Sequence, residues 1–128
     1  MFRKKKPQGL TLAELLIAVF VLSIGILSAL MFFTSAMLAT ETARDTMVAT
    51  THAEYTLEEM KTRSSLANIT GTNWVSWASS SSINTLPSET VTVTFVNSSA
   101  DPLDITVTVG WNKKGRSNNV SLRTEIHK

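Results

Sequence analysis

Cysteine is absent from the 128 residues, which excludes disulfides, thiolate zinc sites and thiol catalysis. A domain built this way has to rely on its apolar core and on its neighbours. Histidine occurs only as His52 and His127, far apart and with no nucleophile motif beside either. No paired carboxylate cluster, Gly-rich phosphate loop or metal-spaced ligand set is present, so an exported enzyme is rejected and no cofactor or metal is expected. Charge is missing over one long stretch. From Leu15 to Thr40, 26 consecutive residues carry none. Proline and glycine are scarce, at 3 and 5, and none of the prolines falls in that stretch.

What is present is concentrated at the N-terminus. Arg3, Lys4, Lys5 and Lys6 precede Gly9, and the chain is apolar from Leu10 to about Thr40 except for Glu14. Lys and Arg total 12 and Asp and Glu total 10. Four of the cations and none of the acids precede Gly9, so a product starting at Leu10 carries −2 rather than +2. The body is therefore no basic nucleic-acid-binding domain, despite a sequence pI near 9.2. As a helix, residues 15–40 rise about 39 Å, enough for a hydrocarbon core of about 30 Å. Leader cations stay cytoplasmic and place the remainder outside. A cleaved secretory signal has a shorter apolar core, though a cut near Ala39 stays open.

An acid in a membrane helix is costly unless it lies at the interface or is paired. Glu14 reads first as an interfacial residue of the first turn, favoured by the helix dipole. Its spacing from Gly9 supplies a sharper reading. After a cut following Gly9, Glu14 is the fifth residue, and the new amine of Leu10 lies one turn away. Among assembled helices, the Glu of one subunit can then pair with the amine of its neighbour and fix the axial register.

Gly9-Leu10-Thr11-Leu12-Ala13-Glu14-Leu15 resembles the processing site of type IV pilins and type II secretion pseudopilins. Val21-Leu22-Ser23-Ile24-Gly25-Ile26-Leu27 is similar to PilV-type minor pilins and GspI-type minor pseudopilins. So are Val107-Thr108-Val109-Gly110-Trp111 and Val120-Ser121-Leu122-Arg123-Thr124, which look like closing strands of that subgroup. The chain departs from the family pattern in three places. Leu10 stands where Phe is usual, Met31 where major pilins carry a helix-bending proline, and a C-terminal cysteine pair is missing. The resemblance implies cleavage after Gly9 by a prepilin peptidase and methylation of Leu10. It further implies assembly with other subunits by an inner-membrane platform and ATPase, with lipid as the partner before assembly. It implies a fibre-priming or tip role, and leaves open whether the machine serves motility, DNA uptake, adhesion or secretion. A single-pass anchored binding domain that is never processed is the alternative, and needs neither Gly9 nor Glu14.

The expected fold is α+β. A long helix over 10–63 carries a membrane half and an amphipathic half, and packs on a three-stranded antiparallel sheet. The domains are a leader (1–9), an assembly helix (10–40) and an extracytoplasmic domain (41–128). Ala49, Ala53, Leu57 and Met60 form the packing stripe, while Val48, His52 and Tyr55 read as a solvated face or a subunit contact. Residues 64–89 read as loop, with Trp74 and Trp77 lidding the core or stacking on a ligand. Val91, Val93, Phe95; Ile105, Val107, Val109, Trp111; and Val120, Leu122, Ile126 alternate as the inner faces of three strands, joined by connectors at 97–102 and 112–119. Thr90, Thr92, Thr94, Thr106 and Thr108 form the outer face. Lys113, Lys114 and Arg116 sit at a basic tip, read as a solvated turn or as a contact with DNA or another anionic partner.

Overall fold

The computed structural model describes residues 9–128. The leader cations Arg3 to Lys6 lie outside the described residues. The class is α+β, as expected: α1 (Leu12–Thr62), α2 (Leu66–Thr70), α3 (Trp74–Ser80), then β1 (Thr90–Phe95), β2 (Leu103–Lys113) and β3 (Arg116–Ile126). The chain divides into two compact units at the Thr40–Glu41 bond.

In the first unit, α1 runs unbroken through Met31, with no proline to remove a donor. The large apolar residues from Leu10 to Leu38 expose half or more of their surface. This segment is long and apolar enough to cross a membrane. Its hydroxyls are already satisfied. Ser23 donates to the Val19 carbonyl (2.7 Å), Ser28 to Ile24 (2.8 Å), Thr34 to Leu30 (3.0 Å), Ser35 to Met31 (3.0 Å) and Thr40 to Ala36 (2.9 Å). Each bond to the carbonyl four residues back removes a donor that lipid could not satisfy.

In the second unit, α1 buries Ala49, Ala53, Leu57 and Met60, the stripe expected from spacing, together with Asp45 and Thr56. The sheet order is β1-β2-β3, antiparallel throughout. Register aligns Val91 with Val109 and Val120, Val93 with Val107 and Leu122, and Phe95 with Ile105 and Thr124. These rows make the inner face, and Leu103, Ile105, Val107 and Val109 at its centre are fully buried. The threonines occupy the outer face, where Thr108 meets Ser121 across the β2–β3 pair (2.8 Å).

Three expectations are corrected. Residues 64–89 are not simply loop. Ser65 caps α2 by accepting from the Asn68 amide (3.3 Å), and Asn73 caps α3 by accepting from Ser76 (3.0 Å). Ser65, read as loop chemistry, and Asn73 serve here as helix caps. The two tryptophans close the core. Trp74 is buried and its indole donates to the Ile69 carbonyl (2.8 Å), while Trp77 packs edge-on against it.

The connector at 112–119 shrinks to two residues. β2 continues to Lys113 and β3 starts at Arg116, with Lys114 (φ 53°) and Gly115 (φ 76°) forming the turn. Positive φ at both positions is the primed geometry that matches strand twist. Finally, His52 is not part of a solvated face: it is half-buried, with Nδ1 2.6 Å from Glu89 Oε1, whereas Tyr55 stays exposed as expected while its ring stacks on Trp77 at 5.8 Å.

Candidate functional site

Gly9 and Leu10 precede α1 outside any helix or strand and are exposed, Leu10 by 77%. Thr11 then caps the helix reciprocally with Glu14. The Thr11 amide donates to Glu14 Oε2 (2.8 Å), its hydroxyl donates to the same oxygen (2.9 Å), and Thr11 Oγ1 accepts from the Glu14 amide (3.2 Å). This is a capping box, in which a Thr and a Glu three residues later satisfy amides that the helix leaves unpaired. Glu14 is thus held locally in the single chain. The signature Thr11-x-x-Glu14 is legible in the sequence, and the charge-centred reading passed over it.

The basic tip is a second cluster, lying within the C-terminal unit. Lys113 Nζ sits 2.6 Å from Asp45 Oδ2 and 2.8 Å from Glu41 Oε1. Lys114 Nζ is 3.6 Å from Glu41 Oε2. Arg116 is exposed and has no carboxylate partner among the described residues. Of the three tip cations, then, Lys113 is spent on α1, Lys114 is loosely held with its side chain 72% exposed, and Arg116 points to solvent. Asp45 and Glu41 were not recognised as its partners because 68 residues separate Lys113 from Asp45.

The Lys113 ammonium holds the Glu41 carboxyl below its usual range, first through their hydrogen bond and then through charge. Bonding to Asp45 and then Glu41 pushes Lys113 above its ordinary value. A depressed carboxyl stabilises the fold above the unfolded carboxylate pKa and loses that contribution as pH falls through the folded value. Stability therefore drops on acidification from the carboxylate range downward. Lys113→Met is expected to narrow the difference in melting temperature between neutral and acid pH, and added salt to narrow it in the wild type. Circular dichroism melts across pH check both.

Among the described residues, no group of three His, Cys, Asp or Glu side chains could hold a metal ion. Residues 4–30 match the family described as the prokaryotic N-terminal methylation motif. No curated protein and no solved structure matches the chain. The matched segment contains Gly9, Leu10, Thr11 and Glu14, and it ends inside the apolar half of α1. This segment is similar to the N-terminal signal of type IV pilin-like proteins, the kind processed as prepilins, and it leads into a helix long and apolar enough to cross a membrane.

Proposed function

We propose that the chain is a minor pilin or pseudopilin, a structural and non-catalytic subunit that primes or tips a fibre rather than building its shaft. One observation carries the proposal. Cleavage after Gly9 leaves Glu14 as the fifth residue of a helix whose apolar side chains are exposed as far as Leu38. Such a surface suits lipid first and neighbouring helices afterwards. The unbroken course of α1 through Met31, where a shaft subunit of the family bends at proline, favours the minor role.

In this reading the N-terminus faces the cytoplasm and the C-terminal unit lies outside the inner membrane. A prepilin peptidase removes residues 1–9 and methylates the Leu10 amine, which keeps its charge. An inner-membrane platform and its ATPase then draw the subunit into the fibre. The leading competitor is a single-pass anchored module that is never cut.

Mass spectrometry of the chain expressed with and without a prepilin peptidase tests the proposal. The expected product begins at N-methyl-Leu10, depends on the peptidase, and is lost in Gly9→Leu. A chain still beginning at Met1 in the presence of active peptidase overturns the proposal in favour of the anchored module. A cut near Ala39 overturns it in favour of secretion.

A further inference from the structure

Glu41 follows Thr40, the last residue of the charge-free run, and Lys113 holds the β2–β3 tip to it at 2.8 Å. A hydrocarbon core of about 30 Å accommodates about 20 helical residues, and each headgroup layer adds roughly 5–7 Å. Counted from Leu15, the core ends near Thr34 and the headgroup layer near Ala39. Glu41 therefore lies at the outer edge of the headgroups, and its ion pair holds the tip there. Chain continuity and one ion pair fix this height, whatever direction the rest of the domain takes.

The charge at that height is positive. Arg44, three residues beyond Glu41 on the same side of α1, is exposed. With Lys113, Lys114 and Arg116 it makes four cations, against Glu41 and Asp45 as the carboxylates ion-paired with the tip among the described residues, an excess of two. Of the three cations on the hairpin, the two least committed to carboxylates, Lys114 and Arg116, flank Gly115 at its extreme.

We infer that this hairpin tip binds the phosphates of anionic lipid headgroups in the membrane that stores the precursor. Lys114 and Arg116 make the contact, and Lys113 is the positioning residue that holds the tip against Glu41 and Asp45. The inference rests on the membrane-stored reading above. DNA is a poorer fit, because two phosphate contacts give little affinity at physiological salt. DNA would also have to approach an anionic leaflet. The lipid contact has a consequence for assembly. It adds an electrostatic tie that must break when the subunit leaves the membrane, so extraction becomes sensitive to lipid charge and to salt.

The chain has no native cysteine, so single labels are clean. Ser117→Cys, exposed on β3 beside the tip, carries a fluorophore in the full-length protein, reconstituted into vesicles whose headgroups bear a nitroxide quencher. One vesicle is phosphatidylcholine, the other an equal mixture with phosphatidylglycerol. Quenching is expected to be stronger in the anionic vesicle, to fall with salt, and to weaken roughly fivefold in binding equilibrium for each cation removed in Lys114→Gln and Arg116→Gln. Lys113→Met is expected to weaken it too, with Lys113→Arg restoring it.

A second label at Thr40→Cys separates the two readings. If Thr40 is quenched in both lipids and Ser117 shows no dependence on lipid charge, the tip inference fails and the anchor stands. If Thr40 is quenched in neither, the membrane reading itself fails. Charge-dependent quenching that persists in the Lys114→Gln/Arg116→Gln double variant overturns the assignment to these residues. Duplex DNA captured by the wild-type tip with no dependence on lipid charge overturns the choice of partner.

Discussion

Glu14→Gln is expected to be cleaved and methylated normally and then to be left out of the fibre. Two roles of Glu14 have to be separated. In the single chain its carboxylate closes a capping box with Thr11. In the fibre proposed above, it faces the charged Leu10 amine of a neighbour. Glutamine keeps a side-chain oxygen that accepts from the Thr11 amide, so the cap survives in weakened form, but the charge is gone. Thr11→Ala does the opposite: it removes the cap, at a cost of about 1 kcal/mol, and leaves the carboxylate. If register rests on charge, incorporation falls by something on the order of tenfold or more in Glu14→Gln and only slightly in Thr11→Ala.

Quantifying processed subunit in sheared fibres against processed subunit in the membrane checks this prediction. Equal losses in the two variants would mean that the cap alone matters. Unchanged incorporation of Glu14→Gln would end the register role and return Glu14 to an interfacial first-turn acid. The capping box also bears on storage before assembly. Accepting two hydrogen bonds from Thr11, the carboxylate does not wait unpaired at the membrane surface for its partner. Assembly becomes an exchange of partners, which costs less than desolvating a free anion.

How far the sequence could be read depended on how local the signal was. α1 was legible almost to the residue, because a charge-free run and the Ala49, Ala53, Leu57, Met60 spacing are properties of one segment. The three inner faces followed equally from alternation along Val91–Phe95, Ile105–Trp111 and Val120–Ile126. The ends of β2 and β3 were not legible. Asn112, Lys113, Ser117 and Asn119 reach beyond the core, so they lack the apolar alternation that marks a strand, and pairing between β2 and β3 keeps them in the sheet. α2 and α3 were missed for a related reason: helices of 5 and 7 residues are too short for periodicity to show, and tertiary packing around Ile69 and Trp74 sustains them. At the candidate site, Gly9, Leu10 and Glu14 stood out as one contiguous motif. The partners of Lys113 and His52 depend on contacts between residues 68 and 37 positions apart, which only the fold brings together.

Glu89→Ala is expected to cost the C-terminal unit about 3 kcal/mol, a large share of what so small a unit holds. The Glu89 side chain is completely shielded from solvent. Oε1 meets His52 Nδ1 at 2.6 Å, and Oε2 accepts from the Leu86 amide at 2.8 Å. The Glu89 amide donates in turn to the Leu86 carbonyl (3.2 Å), and the Pro87 carbonyl accepts from the Asn112 amide (3.0 Å). This one carboxylate therefore ties the turn before β1 to α1, while the turn itself is tied to β2. Removing it strands an amide and an imidazole nitrogen, each at a desolvation cost of about 1–3 kcal/mol.

His52→Leu alone should also be costly, because it leaves the buried carboxylate with only the Leu86 amide. The double variant His52→Leu/Glu89→Met should recover most of the loss, since a buried polar pair replaced by apolar groups of similar volume is often close to neutral. What remains should be about 1 kcal/mol for the orphaned Leu86 amide. Trp74, Trp77 and Trp111 all lie in this unit, so near-ultraviolet circular dichroism of the full chain in detergent reports on its melting. Glu89→Ala should melt on the order of 10–20 °C below the wild type, and the double variant within several degrees of it. Additive losses in the two single variants would mean that His52 and Glu89 stabilise the unit independently and that no clamp exists between α1 and the entry to the sheet.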